Sequence, residues 1–201
     1  MNKILTLLLT VLISVSCQDK TSKQVVAKNV PSVVGSIVKI KGIVLKNNIG
    51  AKEGDFLFEG DTLETKDKSF ARLEMKDKTL MNLGANSKIN LKDYKISNMD
   101  ERIVDINLVI GKLKTHFRNK LKNDSKGSLK VSSGMVSFGV RGTEFITESL
   151  VSGKTKMLLL EGKVVLKQKK KDVKEEQEIE IKPLEIVSIS ETEEITTQTV
   201  T

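Results

Sequence analysis

Few residues in this chain are of a kind that does chemistry. Among 201 residues there is one cysteine, Cys17, and one histidine, His116. A single cysteine excludes an intramolecular disulfide. One Cys and one His also fall short of the four ligands that a structural zinc site usually takes. A Ser-His-Asp arrangement would have to use His116. That residue shares a face with Lys112 and Lys114 and alternates with Leu113, Thr115 and Phe117, which turns it outward among lysines. Carboxylates are abundant, but no pair is set apart from the rest. Asp55 and Asp61 come nearest to a Mg²⁺ or Ca²⁺ ligand set. Each follows a Glu-Gly pair, however, and that is tight-turn chemistry. These residues predict no catalysis, no metal and no cofactor.

The densest conjunction of special residues is Gly139-Val-Arg-Gly-Thr-Glu-Phe145. Gly142 suits a backbone with positive φ at a sharp bend between two strands. Arg141 and Glu144 would point into that bend and satisfy each other and nearby backbone groups. With Gly139, Thr143 and Phe145 they read as a device that fixes β-register, a structural motif rather than a catalytic one. Two lysine-rich loops are candidate contact sites for an anionic partner. One, over residues 118–126, holds Lys120, Lys122 and Lys126. The other, over residues 167–174, holds Lys169, Lys170 and Lys171.

Cys17 carries a different chemistry, acylation of its thiol. Residues 1–16 read as a signal peptide. Lys3 precedes the apolar run Ile4 to Ile13, which is too short to span a bilayer, and Ser14-Val-Ser16 is a small-residue approach to the cysteine. The segment Ser14-Val-Ser-Cys17 resembles a bacterial lipobox, with Ser14 where a leucine is usual. Lipidation of Cys17 is expected, and with it anchoring to a membrane. Residues 17–30, with Lys20, Lys23 and Lys28, read as a tether. The expected address is the cell envelope, on the periplasmic side or at the outer membrane if the cell has one. Gln18 after Cys17 leans towards the outer membrane.

The elements that must position these residues are strands. The core is built from Val, Ile, Leu and six Phe, because there is no Trp and only one Tyr, Tyr94. Ala71, Leu73 and Met75 alternate with Arg72 and Glu74. Val104, Ile106, Leu108 and Ile110 alternate with Asp105 and Asn107, and Gly111 breaks that run. No segment of ten or more residues has a helical apolar period. The mature chain is read as all-β, with many short antiparallel strands in a twisted sandwich or solenoid-like stack over residues 31–190, and a flexible tail over 191–201. A weak internal echo places Gly42, Gly111 and Gly162 each just before a strand. The formal net charge is +8. Nucleic acid is not the expected partner, because no stacking aromatics interleave with the charges. An anionic lipid surface or wall polymer fits that charge better.

Five features in order resemble the FecR-domain family. They are Gly35-Ser-Ile-Val-Lys-Ile-Lys-Gly42, Glu59-Gly-Asp-Thr-Leu-Glu-Thr65, Ser69-Phe-Ala-Arg-Leu-Glu-Met-Lys-Asp77, Gly139-Val-Arg-Gly-Thr-Glu-Phe145 and Leu160-Glu-Gly-Lys-Val-Val-Leu166. Together they span roughly residues 33–190. The resemblance implies an all-β domain outside the cytoplasm. In the namesake proteins that domain is the periplasmic part of a transmembrane regulator, which also carries a cytoplasmic anti-sigma region. This chain is expected to lack both that region and a spanning helix. What carries over is a protein- or wall-contacting module, with Arg141, Gly142, Thr143 and Glu144 as structural residues. The expected function is a lipid-anchored, non-catalytic envelope protein that works as an interaction, scaffold or signalling module. The alternative is a cell-wall or glycan-binding module, for which aromatic platforms are scarce.

Overall fold

A computed structural model describes residues 32–98, 100–119, 127–134, 136–169, 176–190 and 194–200. Strands, turns and bends account for the regular structure, with no helix among the described residues. In chain order the strands alternate between two sheets. β1 (Val33–Lys41) lies in the first sheet, and β2 (Val44–Lys46) and β3 (Ile49–Gly50) lie in the second. β4 (Phe56–Phe58) returns to the first and β5 (Thr62–Thr65) to the second. β6 (Phe70–Met75) and β7 (Leu80–Leu83) form a hairpin in the first, and β8 (Lys88–Ile96) lies in the second. β9 (Arg102–His116) belongs to both. Hairpins then alternate. β10 (Ser128–Ser133) and β11 (Val136–Val140) are in the second sheet, and β12 (Glu144–Ser149) and β13 (Thr155–Glu161) in the first. β14 (Val164–Lys169) and β15 (Glu176–Ile181) follow in the second, and β16 (Glu185–Ile189) and β17 (Ile195–Thr199) in the first.

In space the first sheet runs β4-β1-β6-β7-β9-β12-β13-β16-β17. The second runs β3-β2-β5-β8-β9-β10-β11-β14-β15. Among the described residues only β9 and β10 pair in parallel. The chain therefore adds strands to two facing sheets in turn, so sandwich and solenoid-like stack describe the same object. Period-two patterning drives this. Ala71, Leu73 and Met75 are buried while Arg72 is exposed, and inward residues of both sheets merge into one apolar core.

Gly111 does not end its strand. β9 continues through it and changes sheets there. Residues up to Ile110 pair with β8 or β10, and residues from Gly111 onward pair with β7 or β12. The buried set shifts parity at the same place, from Arg102, Val104, Ile106 and Leu108 to Leu113 and Thr115. Gly111 has φ +90°, which turns the strand at low cost only for glycine. A Cβ there would lie 2.2 Å from Ser87 Oγ.

The tail is also more ordered than expected. Ile195–Thr199 forms β17 and pairs with β16 from Ile189↔Ile195 to Glu185↔Thr199. This segment is rich in β-branched threonine, and β-branching favours a pleated strand once a neighbour is present to pair with.

A corner and a groove on the second sheet

Gly142 has φ +59° and sits in the two-residue bend between β11 and β12, where the chain passes from the second sheet to the first. The predicted positive φ is found there. Thr143 is buried beside it, and its carbonyl accepts the Phe117 N–H at 2.9 Å. Phe145 is buried and its ring lies 6.4 Å from that of Phe117. Opposite stands Gly162, φ +95°, at the crossing from β13 to β14. A Cβ on Gly162 would come within 2.6 Å of Thr143 Cγ2 and 2.7 Å of the Gly142 carbonyl oxygen. Two chain crossings thus interlock at the distance only a glycine allows.

The same construction occurs twice earlier. Gly42, φ +75°, crosses from β1 to β2 against Ser69, and Gly111 crosses within β9 against Ser87. In both, the serine hydroxyl accepts the N–H of the residue after the glycine, from Ile43 at 2.9 Å and from Lys112 at 2.8 Å. Each serine also donates two residues back, to Asp67 O at 3.0 Å and to Ala85 O at 2.9 Å. Each follows a residue of positive φ, Lys68 or Asn86, as Thr143 follows Gly142. The echo of glycines in the sequence is therefore a threefold corner motif, and the Gly139–Phe145 stretch supplies Thr143 to its third copy, facing Gly162.

The two charged residues of the stretch have different surroundings. Glu144 faces Lys114 across the strands, with Oε1 2.7 Å from Nζ. The hydrogen bond from Lys114 holds the Glu144 carboxyl below its ordinary range, against a smaller opposing effect of partial burial. The contact that orients Glu144 is therefore a cross-strand lysine, where mutual satisfaction with Arg141 was expected. Arg141 is exposed and lies on the rim of a groove of about 440 Å³. Gly139 helps to line that groove, and its missing side chain leaves the space above Val165 open. Lys163, Lys167, Glu178 and Glu180 of β14 and β15 or their margins form one side. Lys163 pairs with Glu180 at 3.2 Å and Lys167 with Glu178 at 2.5 Å. Both pairs are substantially exposed and so exchangeable with water and with other ions.

Lys120, Lys122, Lys126, Lys170 and Lys171 lie outside the described residues, as does Cys17. The chain that carries the first three rejoins the described structure at Gly127, which lines the groove. Lys169 closes β14, in register with Glu176. Asp55 and Asp61 do turn chemistry. Each accepts the N–H three residues back, from Lys52 at 2.8 Å and from Phe58 at 2.9 Å.

Sequence reasoning missed one polar cluster. Asp77 and Arg102 are both fully buried and form an ion pair at 2.8 Å. Tyr94 Oη donates to Asp77 Oδ1 at 3.0 Å, and so does the Thr79 N–H at 3.1 Å. Arg102 Nη2 donates to Asn119 O, and Asn119 Nδ2 donates to Asp77 O at 2.7 Å. The cluster ties the β6–β7 turn, β8, the start of β9 and the segment after β9 together. A signal for it was present. Extending the parity of Val104, Ile106 and Leu108 back two residues puts Arg102 on the inner face, where an arginine requires a buried acid.

The model of the FecR protein family matches residues 61–165, just over half of the chain. Two crystal structures of a candidate anti-sigma factor from Parabacteroides distasonis, at 2.50 Å and 1.65 Å resolution, share the fold. They superpose with TM-scores of 0.53 and 0.52 at 14% and 15% identity, over 69% of this chain. The match spans 59% of their own length. No curated protein matches this sequence. The matched segment runs from the Asp61 turn through the Gly162 corner to β14 and includes all of Gly139–Phe145, and on that match the chain belongs to the FecR protein family.

Proposed function

We propose that the protein is a non-catalytic envelope module, lipid-anchored through Cys17, that binds another protein through the groove beside the β11–β12 corner and serves signalling or scaffolding there. One observation carries this reading. The most distinctive stretch of the sequence forms a corner whose exposed charged side chain, Arg141, stands on the rim of an open groove. The corner is rigid because Gly162 and Thr143 interlock, so Arg141 and the glycine floor are presented in fixed positions. The rim ion pairs are exposed, and a partner with its own acidic groups can replace them. Family membership and the likeness in fold to a candidate anti-sigma factor support a regulatory role over a catalytic one.

In-cell cross-linking of the anchored protein tests it. Arg141→Glu with Lys163→Glu is expected to lose a reproducible protein partner by about tenfold or more, as charge reversal at a complementary rim does, with thermal unfolding unchanged. Undiminished recovery of the partner overturns the groove. Recovery with the wall fraction alone moves the reading to a glycan-binding module. Anchoring has its own readout: Cys17→Ser should move the protein out of the membrane fraction.

A further inference from the structure

The two sheets have four outer edges, and three of them are guarded. β3 has two residues and β4 has three, too short to template a partner strand. β15 carries the exposed Glu178 and Glu180, which would repel a copy of itself. β17 has no such protection. Its sequence is Ile195-Thr-Thr-Gln-Thr199, uncharged and free of Pro and Gly, and its four threonine and glutamine residues are exposed. Among the described residues no strand pairs with its far side.

The hydrogen-bond phase of β17 shows which groups that edge offers. Ser190 N–H donates to Glu194 O at 3.1 Å, and Val200 N–H donates to Leu184 O at 2.8 Å. Even-numbered residues of this segment therefore turn their backbone groups towards β16. In an antiparallel ladder the alternate residues turn theirs away, so Ile195, Thr197 and Thr199 present N–H and C=O to the outside. The three are centred on Thr197.

We propose that β17 is the docking edge for a second copy of this chain, paired antiparallel about a two-fold axis through Thr197. Such an interface is isologous, with one patch serving both partners. Thr197 faces its own copy, and Ile195 faces Thr199 of the second molecule. Each of these pairs exchanges two backbone hydrogen bonds, and no like charges meet. A second copy fits this edge better than a charged partner strand, because the edge has no charge to select one. The contact is shorter than a stable interface of about 1,200 Å² or more requires. The dimer is therefore concentration-dependent, and confinement to a membrane surface strengthens it. The inference is independent of the groove and of its partner.

The test uses the full chain with Cys17→Ser, which removes the only cysteine. Thr197→Cys should form an intermolecular disulfide under mild oxidation at least about tenfold faster than Lys92→Cys on the exposed face of β8. A hydrogen-bonded antiparallel pair holds its Cα atoms about 5.5 Å apart, within disulfide range. Thr197→Pro should abolish concentration-dependent association in sedimentation while leaving the protein folded, since the N–H it removes points away from β16. Equal rates for Thr197→Cys and Lys92→Cys overturn the proposal. So does association that survives Thr197→Pro, or a strictly monomeric protein whose β17 amides gain protection from exchange only when a different envelope protein is added.

Discussion

Asp77 is a fully buried acid on which four segments of the fold converge. Its carboxylate accepts from Tyr94, Thr79 and Arg102, and its carbonyl accepts from Asn119. Tyr94 is the member that can be titrated and observed. Burial pushes its phenol well above the ordinary value of 10.0, and the negative charge of Asp77 adds to the shift. A raised folded-state value means that the native protein keeps its proton where the unfolded chain has lost it. Stability from this source is complete below pH 10 and falls as the pH rises above it. Because Tyr94 is the only tyrosine and there is no tryptophan, phenolate absorbance reports on this one site. The absorbance is expected to appear together with loss of β-structure, not before it. Tyr94→Phe should flatten the alkaline limb of the stability curve while lowering stability at neutral pH by roughly 1–3 kcal/mol, the cost of leaving a buried acceptor with one partner fewer. Phenolate that appears in fully folded protein near pH 10 would contradict this account.

At the scale of elements, the fold depends on its corners. Three crossings between the sheets, at Gly42, Gly111 and Gly162, bring a glycine of positive φ against a serine or threonine of a neighbouring turn. Gly162→Ala is expected to destabilise by roughly 2–4 kcal/mol in denaturant unfolding, from left-handed strain combined with a clash against backbone. Gly60→Ala is the matched control. It also has positive φ, 87°, but nothing lies within 4 Å of its Cβ position, so only the conformational cost of about 1–2 kcal/mol should remain. Equal effects at the two sites would show that close approach does not matter. Some elements were legible from period-two patterning alone, among them β6 and the two halves of β9. The continuation of β9 through Gly111 was not. A glycine that ends a strand and one that turns it into another sheet look alike until the partner strands are known. β17 was missed for a related reason, since Thr-rich polarity describes a tail and an edge strand equally well.

At the scale of the whole molecule, the formal net charge is +8, and the groove brings Arg141, Lys163 and Lys167 together with Glu178 and Glu180. Partner association there should weaken with ionic strength, because screening shortens from about 10 Å at 0.1 M salt to about 3 Å at 1 M. The Arg141→Glu protein should have a shallower salt dependence. A salt-independent association rate measured by surface binding would place the contact elsewhere. The residue types at this site were visible in the chain, but the site was not. Gly139–Phe145 stood out by composition, yet its pairing with Lys163 and Glu180 depends on β14 returning beside β11, a contact between residues about 25 apart in sequence.

What the sequence determined by itself was local. Alternation specified strands and their inner faces, Gly-Asp pairs specified turns, and the hallmark stretch with its neighbours pointed to the family. These follow from short-range sterics and from the burial of every second side chain, and both act within a few residues. Tertiary structure decided which glycines are corners, that Asp77 and Arg102 meet in the core, which edge is left unguarded, and that Arg141 stands on a groove while Glu144 turns to Lys114. Each of these depends on which strand lies beside which. Pairing between distant strands is set by the summed burial of two whole sheets, and no single stretch of the chain contains that information.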